Sequence, residues 1–171
     1  MGPSPSERLG AFLDSLGIVH TTVEHRPLFT VEEGRDLHAS IPGLHCKNLF
    51  LKDKRGLLWL IVMPGDLRAD LARLSGLLKA TRLSFAAPAL LAEVLGVTPG
   101  SVSPFALMND TERCVNVVVD RSMMQSPHLA FHPLRNDAST TIRAVDLRVF
   151  LEALGYAPLE RDCGGTEVPH G

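Results

Sequence analysis

Apolar and polar positions recur with two different periods along the chain, which predicts helices and strands in alternation. Apolar residues follow helical spacing from residue 9 to residue 16, between a candidate N-cap, Ser6, and a candidate helix stop, Gly17. Residues 18–23 then carry several β-branched side chains, which are typical of a short strand. The chain is therefore predicted to begin with a helix followed by a strand.

The clearest pattern is a pair of apolar segments, residues 46–52 and 57–63, on either side of a polar turn. Residues 53–56 read Asp-Lys-Arg-Gly, and a short connection of this kind that ends in glycine predicts a hairpin. The second segment is apolar almost throughout, as expected of a strand at the centre of a sheet that is covered on both faces.

The remaining pattern predicts several further elements. A capping box, Thr30 with Glu33 three residues later, predicts a helix over residues 31–38. Further helices are predicted over residues 66–74, 88–95 and 145–154, and further strands over residues 82–85, 115–119, 129–131 and 139–142. This alternation predicts an α/β (mixed α+β) fold in which a mixed sheet is flanked by helices. We predict a single domain over residues 1–157 and a flexible tail over residues 158–171, which are rich in breakers.

Composition narrows the function classes. The 171 residues are 45% hydrophobic and 21% charged, as in an ordinary folded domain, and the net charge is -2 at pH 7. This balance argues against a wide basic face, so any RNA contact should be small and local. No apolar stretch approaches the roughly 20 residues of a membrane span, and the start of the chain lacks a secretory pattern. Three cysteines without C-x-x-C spacing predict neither disulfides nor a zinc knuckle, so we expect a cytoplasmic protein.

The first candidate for chemistry is Lys47 with its neighbour Asn48, at the start of a predicted strand. A lysine there can simply protect a sheet edge. It can also meet a phosphate as a point charge, while the adjacent amide offers both a donor and an acceptor.

The second candidate is a loop in the pattern G-x-x-x-P. It could be no more than a surface turn. Its successive backbone N–H groups could instead face a carbonyl oxygen that gains negative charge, because glycine allows a close approach. The residues of this loop are Gly100, Ser101, Val102, Ser103 and Pro104.

His132 is the third candidate, directly after a short apolar strand. It can be a hydrogen-bonded strand-end histidine, or it can contact an amine, a ribose hydroxyl or a water near neutral pH. No third ligand accompanies His128 and His132 at a familiar interval, so a metal is not expected. The sequence also lacks a G-x-S-x-G elbow and the glycine-rich nucleotide motifs. The residues alone predict a cytosolic α/β domain with a small anionic-ligand site.

Four segments in this order, residues 25–33, 47–53, 100–104 and 132–136, resemble the YbaK/prolyl-tRNA-synthetase-associated editing family over residues 5–156. Within that family they look most like the free-standing alanyl-tRNA(Pro) deacylases of the ProX type. The resemblance implies a pocket between the lysine strand, the helix after Thr30 and the G-x-x-x-P loop. It implies that tRNA(Pro) with its attached amino acid is the partner, that prolyl-tRNA synthetase or an elongation factor can assist, and that no cofactor or membrane is involved.

The resemblance also implies a role for each site residue. Lys47 contacts the phosphate of the terminal adenosine and Asn48 helps to position that end, while His132 lines the aminoacyl pocket. The loop from Gly100 meets the ester carbonyl through its backbone. Val31 and Gly34, after Thr30, face the amino-acid side chain.

The implied reaction is hydrolysis of the ester of Ala-tRNA(Pro) by a positioned water, which the neighbouring ribose hydroxyl of the substrate helps to orient or activate. An aminoacyl ester is already activated, so positioning and oxyanion stabilisation suffice. Two alternatives stay open: a deacylase for Cys-tRNA(Pro) from the other main branch, and a non-catalytic module that binds an aminoacyl-tRNA or a synthetase.

Overall fold

The centre of the computed structural model is an antiparallel hairpin formed by β2 (Leu44–Lys52) and β3 (Leu58–Pro64). Seven residue pairs are in register, from Cys46 opposite Pro64 to Lys52 opposite Leu58. The buried Asp53 carboxylate closes the turn, because one of its oxygens accepts the N–H groups of Arg55 and Leu57 at 2.9 and 3.0 Å. The predicted hairpin is confirmed.

The structure describes residues 2–27 and 39–164, so the helix predicted over residues 31–38 lies outside the described residues. Within them the helices are α1 (Pro5–Ser15), α2 (Leu71–Leu77), α3 (Pro88–Leu95) and α4 (Ala144–Ala153). The other strands are β1 (Thr21–Glu24), β4 (Ser84–Phe85), β5 (Val115–Asp120), β6 (His128–Phe131), β7 (Ala138–Arg143) and β8 (Leu159–Arg161). Short 3-10 turns span Pro99–Ser101, Pro104–Asn109 and Met123–Gln125.

The strands of the described part form one mixed sheet in the order β1-β7-β6-β2-β3-β5-β8, and β4 pairs with β2 outside this path. Parallel pairs join β2 to β6, β3 to β5 and β5 to β8, and the other pairs are antiparallel. All residues of β3 are buried, as the sequence predicted for a central strand. The expected mixed sheet with flanking helices is confirmed.

Helices cover both faces of the sheet, and each face has its own apolar cluster. The larger cluster joins α1, α3 and α4 to alternate residues of the central strands, and Phe105 packs edge-on against both Phe131 and Phe150 in it. The smaller cluster places Leu74 of α2 against Leu51 and the other alternate positions of β2 and β3. No helix in the described ranges is long and apolar enough to cross a membrane.

Two boundaries differ from the sequence prediction. The tail predicted over residues 158–171 is wrong for its first part, because β8 pairs with β5 and Cys163 is buried, with its N–H donated to Asp120 Oδ1 at 2.8 Å. The helix predicted over residues 66–74 begins only at residue 71, because the Asp70 carboxylate accepts the N–H of Arg73 and caps the helix there.

A buried polar cluster fixes the chain after α4 to the start of β5. Tyr156 Oη donates to Asp110 Oδ2 at 2.7 Å, and the same carboxylate accepts the backbone N–H groups of Cys114 and Val115. Burial by itself opposes ionisation, but these hydrogen bonds, with one from the Cys114 thiol, hold the pKa of Asp110 below its ordinary 3.8.

Replacing this hydroxyl should destabilise the protein in a pH-dependent way. We expect Tyr156→Phe to lower the free energy of unfolding by about 1.5–3 kcal/mol at pH 7, the range for a hydrogen bond to a charged group. Because the pKa of Asp110 is depressed in the folded state, this contribution should fade as pH falls through that pKa. Denaturant unfolding at neutral and acid pH measures it, and an equal loss at every pH would contradict it.

Candidate functional site

The candidate site lies at a gap along one edge of β2. On that edge β6 pairs with residues 44–45 and β4 pairs with residues 51–52, so residues 46–49 have no strand beside them among the described residues. A cavity of about 220 Å³ opens at this gap. It is lined by His45, Cys46, Lys47, Asn48, Gly65, Ala130, Phe131, His132 and Ser139. Three of the predicted site residues, Lys47, Asn48 and His132, therefore line one cavity.

Lys47 is a half-buried cation opposite Met63 of β3. Burial lowers the pKa of its ammonium group, and the negative charge of Asp66 opposes that shift. Lys47 makes no ion pair with any residue in the described ranges. An anionic group in the cavity would stabilise this partly desolvated charge, which fits the predicted phosphate contact.

Asn48 follows Lys47 and, by strand alternation, projects to the opposite face of β2. Its Oδ1 is buried and has no hydrogen-bond partner in the described part of the chain. A buried acceptor without a donor costs about 1–3 kcal/mol, so a ligand that donates to it would recover that cost. The predicted role in positioning a ligand therefore gains a physical reason.

His132 is held in a defined tautomer. Its Nδ1 lies 2.9 Å from the Ala138 carbonyl oxygen, and a carbonyl can only accept, so Nδ1 carries the proton. Burial lowers the pKa of this imidazole, while the Ala138 contact raises it and nearby His25 lowers it again. In the neutral ring Nε2 therefore presents a lone pair.

The sequence predicts no role for His25 and Ser139, which add two polar side chains near His132. The rings of His25 and His132 have centroids 6.1 Å apart. His25 Nδ1 donates to the Arg26 carbonyl at 2.8 Å, so its Nε2 accepts the hydroxyl proton of Ser139 at 2.9 Å. The sequence offered one signal for His25, its place at the start of segment 25–33, which resembles the editing family. Its hydrogen-bond partner Ser139 lies 114 residues away, so the contact could not be predicted from local pattern.

A network of ion pairs supports the loop after His132. Arg135 contacts Glu24 at 3.0 Å and Asp137 at 2.9 Å, and the N–H of His25 donates to the Asp137 carbonyl at 2.8 Å. These contacts tie the end of β1 to the loop between β6 and β7. They hold the His25 and His132 rings near each other.

The G-x-x-x-P loop lies beside the loop that follows His132 and does not line the cavity itself. A Cβ at Gly100 would meet Asn136 Nδ2 at 3.5 Å, an ordinary contact distance. The N–H of Ser101 donates to the Thr98 carbonyl at 2.9 Å and is not available to a ligand. In the described ranges no hydrogen bond engages the N–H groups of Gly100, Val102 and Ser103.

The remaining predicted residues divide into two groups. Ser103 and Pro104 are buried, and Ser103 Oγ accepts the N–H of Phe105 at 3.2 Å, so these side chains shape the loop. The predicted substrate-binding residue Thr30 and the proposed side-chain sieve residues Val31 and Gly34 lie outside the described residues.

The described residues supply a cation, a buried amide and a neutral imidazole at one cavity, with free backbone donors in the adjacent loop. Such groups can bind a phosphate, accept a proton from a water and stabilise an oxyanion. In the described part of the chain, His, Cys, Asp and Glu form no group of three that could hold a metal ion.

Comparison with known proteins gives a consistent set of relatives. A model of the family described as "Aminoacyl-tRNA editing domain" matches residues 25–150. The prolyl-tRNA editing protein ProX of Acetoanaerobium sticklandii is 36% identical over 146 residues, which cover 85% of this chain and 89% of that protein. The prolyl-tRNA synthetase associated domain-containing protein 1 of Danio rerio is 39% identical over 155 residues, with coverage of 90% and 84%.

A solved structure shares the fold. It is the crystal structure of a protein assigned as a candidate trans-editing enzyme for prolyl-tRNA synthetase, with a TM-score of 0.68 and 21% sequence identity. The match covers 93% of this chain and 98% of that one. The mixed sheet with its flanking helices is thus a fold already known from other proteins.

The two-histidine arrangement can be tested by nuclear magnetic resonance. We expect His132 to titrate below the ordinary pKa of 6.5, with an unprotonated Nε2 in the neutral ring. His25→Gln should raise that pKa only in part, because burial is the larger cause and stays. His128→Gln, on the exposed end of the same strand, is the control. An unchanged His132 titration in His25→Gln would show that the two rings do not interact.

Proposed function

Because the chain belongs to the aminoacyl-tRNA editing domain family, we propose that it is a trans-editing deacylase that hydrolyses mischarged Ala-tRNA(Pro) to alanine and tRNA(Pro). The observation that carries this proposal is the cavity that brings Lys47, Asn48 and His132 together at the gap in β2. The reaction would take place in the cytoplasm, and prolyl-tRNA synthetase or an elongation factor could deliver the substrate.

Each group in the cavity has a role in the proposed reaction. The Lys47 ammonium binds the phosphate of the terminal nucleotide, and the amide of Asn48 accepts a hydrogen bond from the same end of the substrate. Two observations support these roles: Lys47 makes no ion pair in the described ranges, and Asn48 Oδ1 lacks a donor there. Together they fix the aminoacyl ester over the gap.

The chemical step needs a water, a proton acceptor and oxyanion donors. The water oxygen bonds to the ester carbonyl carbon, and His132 Nε2 accepts the proton that it loses. The ester carbonyl would extend from the cavity to the adjacent loop, where the N–H groups of Gly100 and Val102, which make no hydrogen bond in the described ranges, would stabilise the oxyanion. The bond to the ribose oxygen then breaks, and that oxygen takes the proton from His132. The lowered pKa of His132 supports this role, because the ring is neutral at physiological pH.

Selection of the amino acid would depend on cavity size. A cavity of about 220 Å³ suits a small side chain, and a small pocket can admit alanine while excluding proline. Val31 and Gly34 remain our proposed sieve residues. Discrimination by one or two methyl groups is worth about 1–3 kcal/mol, so the preference should be graded.

A deacylation assay on three substrates tests the proposed function. We expect the rate constant to be highest for Ala-tRNA(Pro), lower for Cys-tRNA(Pro) and near background for Pro-tRNA(Pro). A preference for the cysteinyl substrate would assign the chain to the alternative branch. Hydrolysis of none of the three, by a folded protein that binds the tRNA, would favour the non-catalytic module.

Lys47→Ala should abolish most of this deacylation and leave the fold intact, because a half-buried lysine on the open edge of β2 contributes little packing. Loss of a phosphate contact on a bound substrate should lower kcat/KM by about a hundredfold, the scale of about 2–3 kcal/mol for a charged hydrogen bond. Arg8→Ala, an exposed charge on α1, is the matched control. An active Lys47→Ala protein would contradict the phosphate contact.

Gly100→Ala should lower kcat by about tenfold or more. The free protein has room for the added methyl group, which meets only Asn136 at ordinary distances, so any loss must come from the bound ester. Gly76→Ala in α2, where a Cβ meets nothing within 4 Å, is the control. Wild-type kinetics in a folded Gly100→Ala protein would remove this loop from the mechanism.

A further inference from the structure

Four exposed cations, Lys52, Lys54, Lys79 and Arg82, lie where the β2–β3 turn meets the segment before β4. We call them the basic turn patch. Two contacts bring the segments together: Lys52 is in register with Ser84, and the N–H of Lys54 donates to Thr81 Oγ1 at 2.9 Å. Residues 79–82 therefore lie against residues 52–54.

The charge of the basic turn patch is not neutralised by its surroundings. None of its four side chains forms an ion pair in the described ranges. The carboxylate of the turn itself, Asp53, is buried and is engaged by the N–H groups of the turn and by Arg55. Residues 71–92 contain no acidic side chain, although the whole chain has a net charge of -2.

Backbone geometry gives no reason for the lysine at one of these positions. Lys79 has φ +54°, in the left-handed region that favours glycine. A charged side chain is thus present at a position that is unfavourable for it.

An exposed aromatic ring lies beside the basic turn patch. Phe85 of β4 is opposite Leu51 and is 62% exposed, unlike the buried phenylalanines of the apolar clusters. Cations next to an exposed aromatic ring are the pattern of surfaces that hold a nucleic-acid backbone and stack a base.

The distance from the cavity fits a nucleic-acid strand. Lys47 and Lys52 are five residues apart on β2, which at about 3.3 Å per residue is roughly 16 Å. That length equals roughly five stacked nucleotides at about 3.4 Å each. Because this odd separation places the two lysines on opposite faces of β2, a strand whose terminal nucleotide lies at Lys47 would reach the basic turn patch by passing over the open edge at residues 46–49.

We propose that the basic turn patch, with Phe85 beside it, binds the phosphate backbone of the acceptor arm of the substrate tRNA. This proposal rests on the proposed deacylase function and adds the surface that holds the RNA beyond its terminal nucleotide. Four cations at one place also agree with the expectation, from the net charge, of a small and local RNA contact.

Binding of uncharged tRNA(Pro) at several salt concentrations tests the proposal without requiring catalysis. The variant Lys52→Ala/Lys54→Ala/Arg82→Ala should bind about tenfold to a hundredfold more weakly at low salt. The slope of log K against log salt should become shallower by about two to three, at roughly 0.7–0.9 per lost phosphate contact. Lys79→Gly, in which glycine suits the left-handed backbone at residue 79, should make this slope shallower by about one. The control, Arg8→Ala/Arg121→Ala/Arg148→Ala, removes three charges elsewhere and should keep the wild-type slope.

A kinetic comparison separates this proposal from the proposed function. With Ala-tRNA(Pro) the triple patch variant should show a raised KM and a wild-type kcat. With a short aminoacylated oligonucleotide that ends in CCA, it should match the wild type, which also shows that it is folded. If the wild-type protein hydrolyses the short substrate, and the patch and control variants bind tRNA(Pro) equally, the proposed role of the patch is overturned. The proposed deacylase function is then unaffected. If the wild-type protein hydrolyses neither substrate, while the triple patch variant binds tRNA(Pro) more weakly than the control variant at low salt, the deacylase proposal is overturned and the patch proposal stands.

Discussion

The antiparallel register of β2 with β3 is the constraint on which the rest of the structure depends. Seven pairs, closed by the carboxylate of Asp53, hold β2 straight across the sheet. One edge of β2 is thereby presented to two different strands, β6 near its start and β4 near its end. The space between those strands is the candidate site. A slip of one residue would exchange the faces of Lys47 and Asn48 and remove the arrangement.

A second constraint is electrostatic and comes from backbone carbonyls. The Ala138 carbonyl assigns the proton of His132 to Nδ1, and the Arg26 carbonyl does the same for His25. Both carbonyls belong to segments tied together by Arg135. The protonation pattern of the site is therefore set by the fold, and no carboxylate is needed to orient either ring.

Most of the sheet could be predicted from local pattern, and most of the differences come from long-range contacts. The hairpin and the helix at residues 88–95 follow from turn chemistry, proline and hydrophobic spacing, which act over a few residues. The strand β8 could not be predicted in this way, because its three partly exposed residues have no strand pattern of their own and form a strand only by pairing with β5. In the candidate site, Lys47, Asn48 and His132 could be predicted from short motifs. His25 could not, because its contact with Ser139 joins residues 114 positions apart.

The pairing of β1 with β7 also has a consequence for the order of folding during synthesis. Thr22 and Thr140 face each other across a separation of 118 residues, so β1 gains β7, its partner among the described strands, only after residues 138–143 have left the ribosome. Contacts of such high sequence separation form slowly. His25 cannot approach His132 before β7 is in place. A nascent or prematurely released fragment without β7 would then carry the lysine strand without an assembled candidate site, and the proposed activity would appear only after β7 has been synthesised.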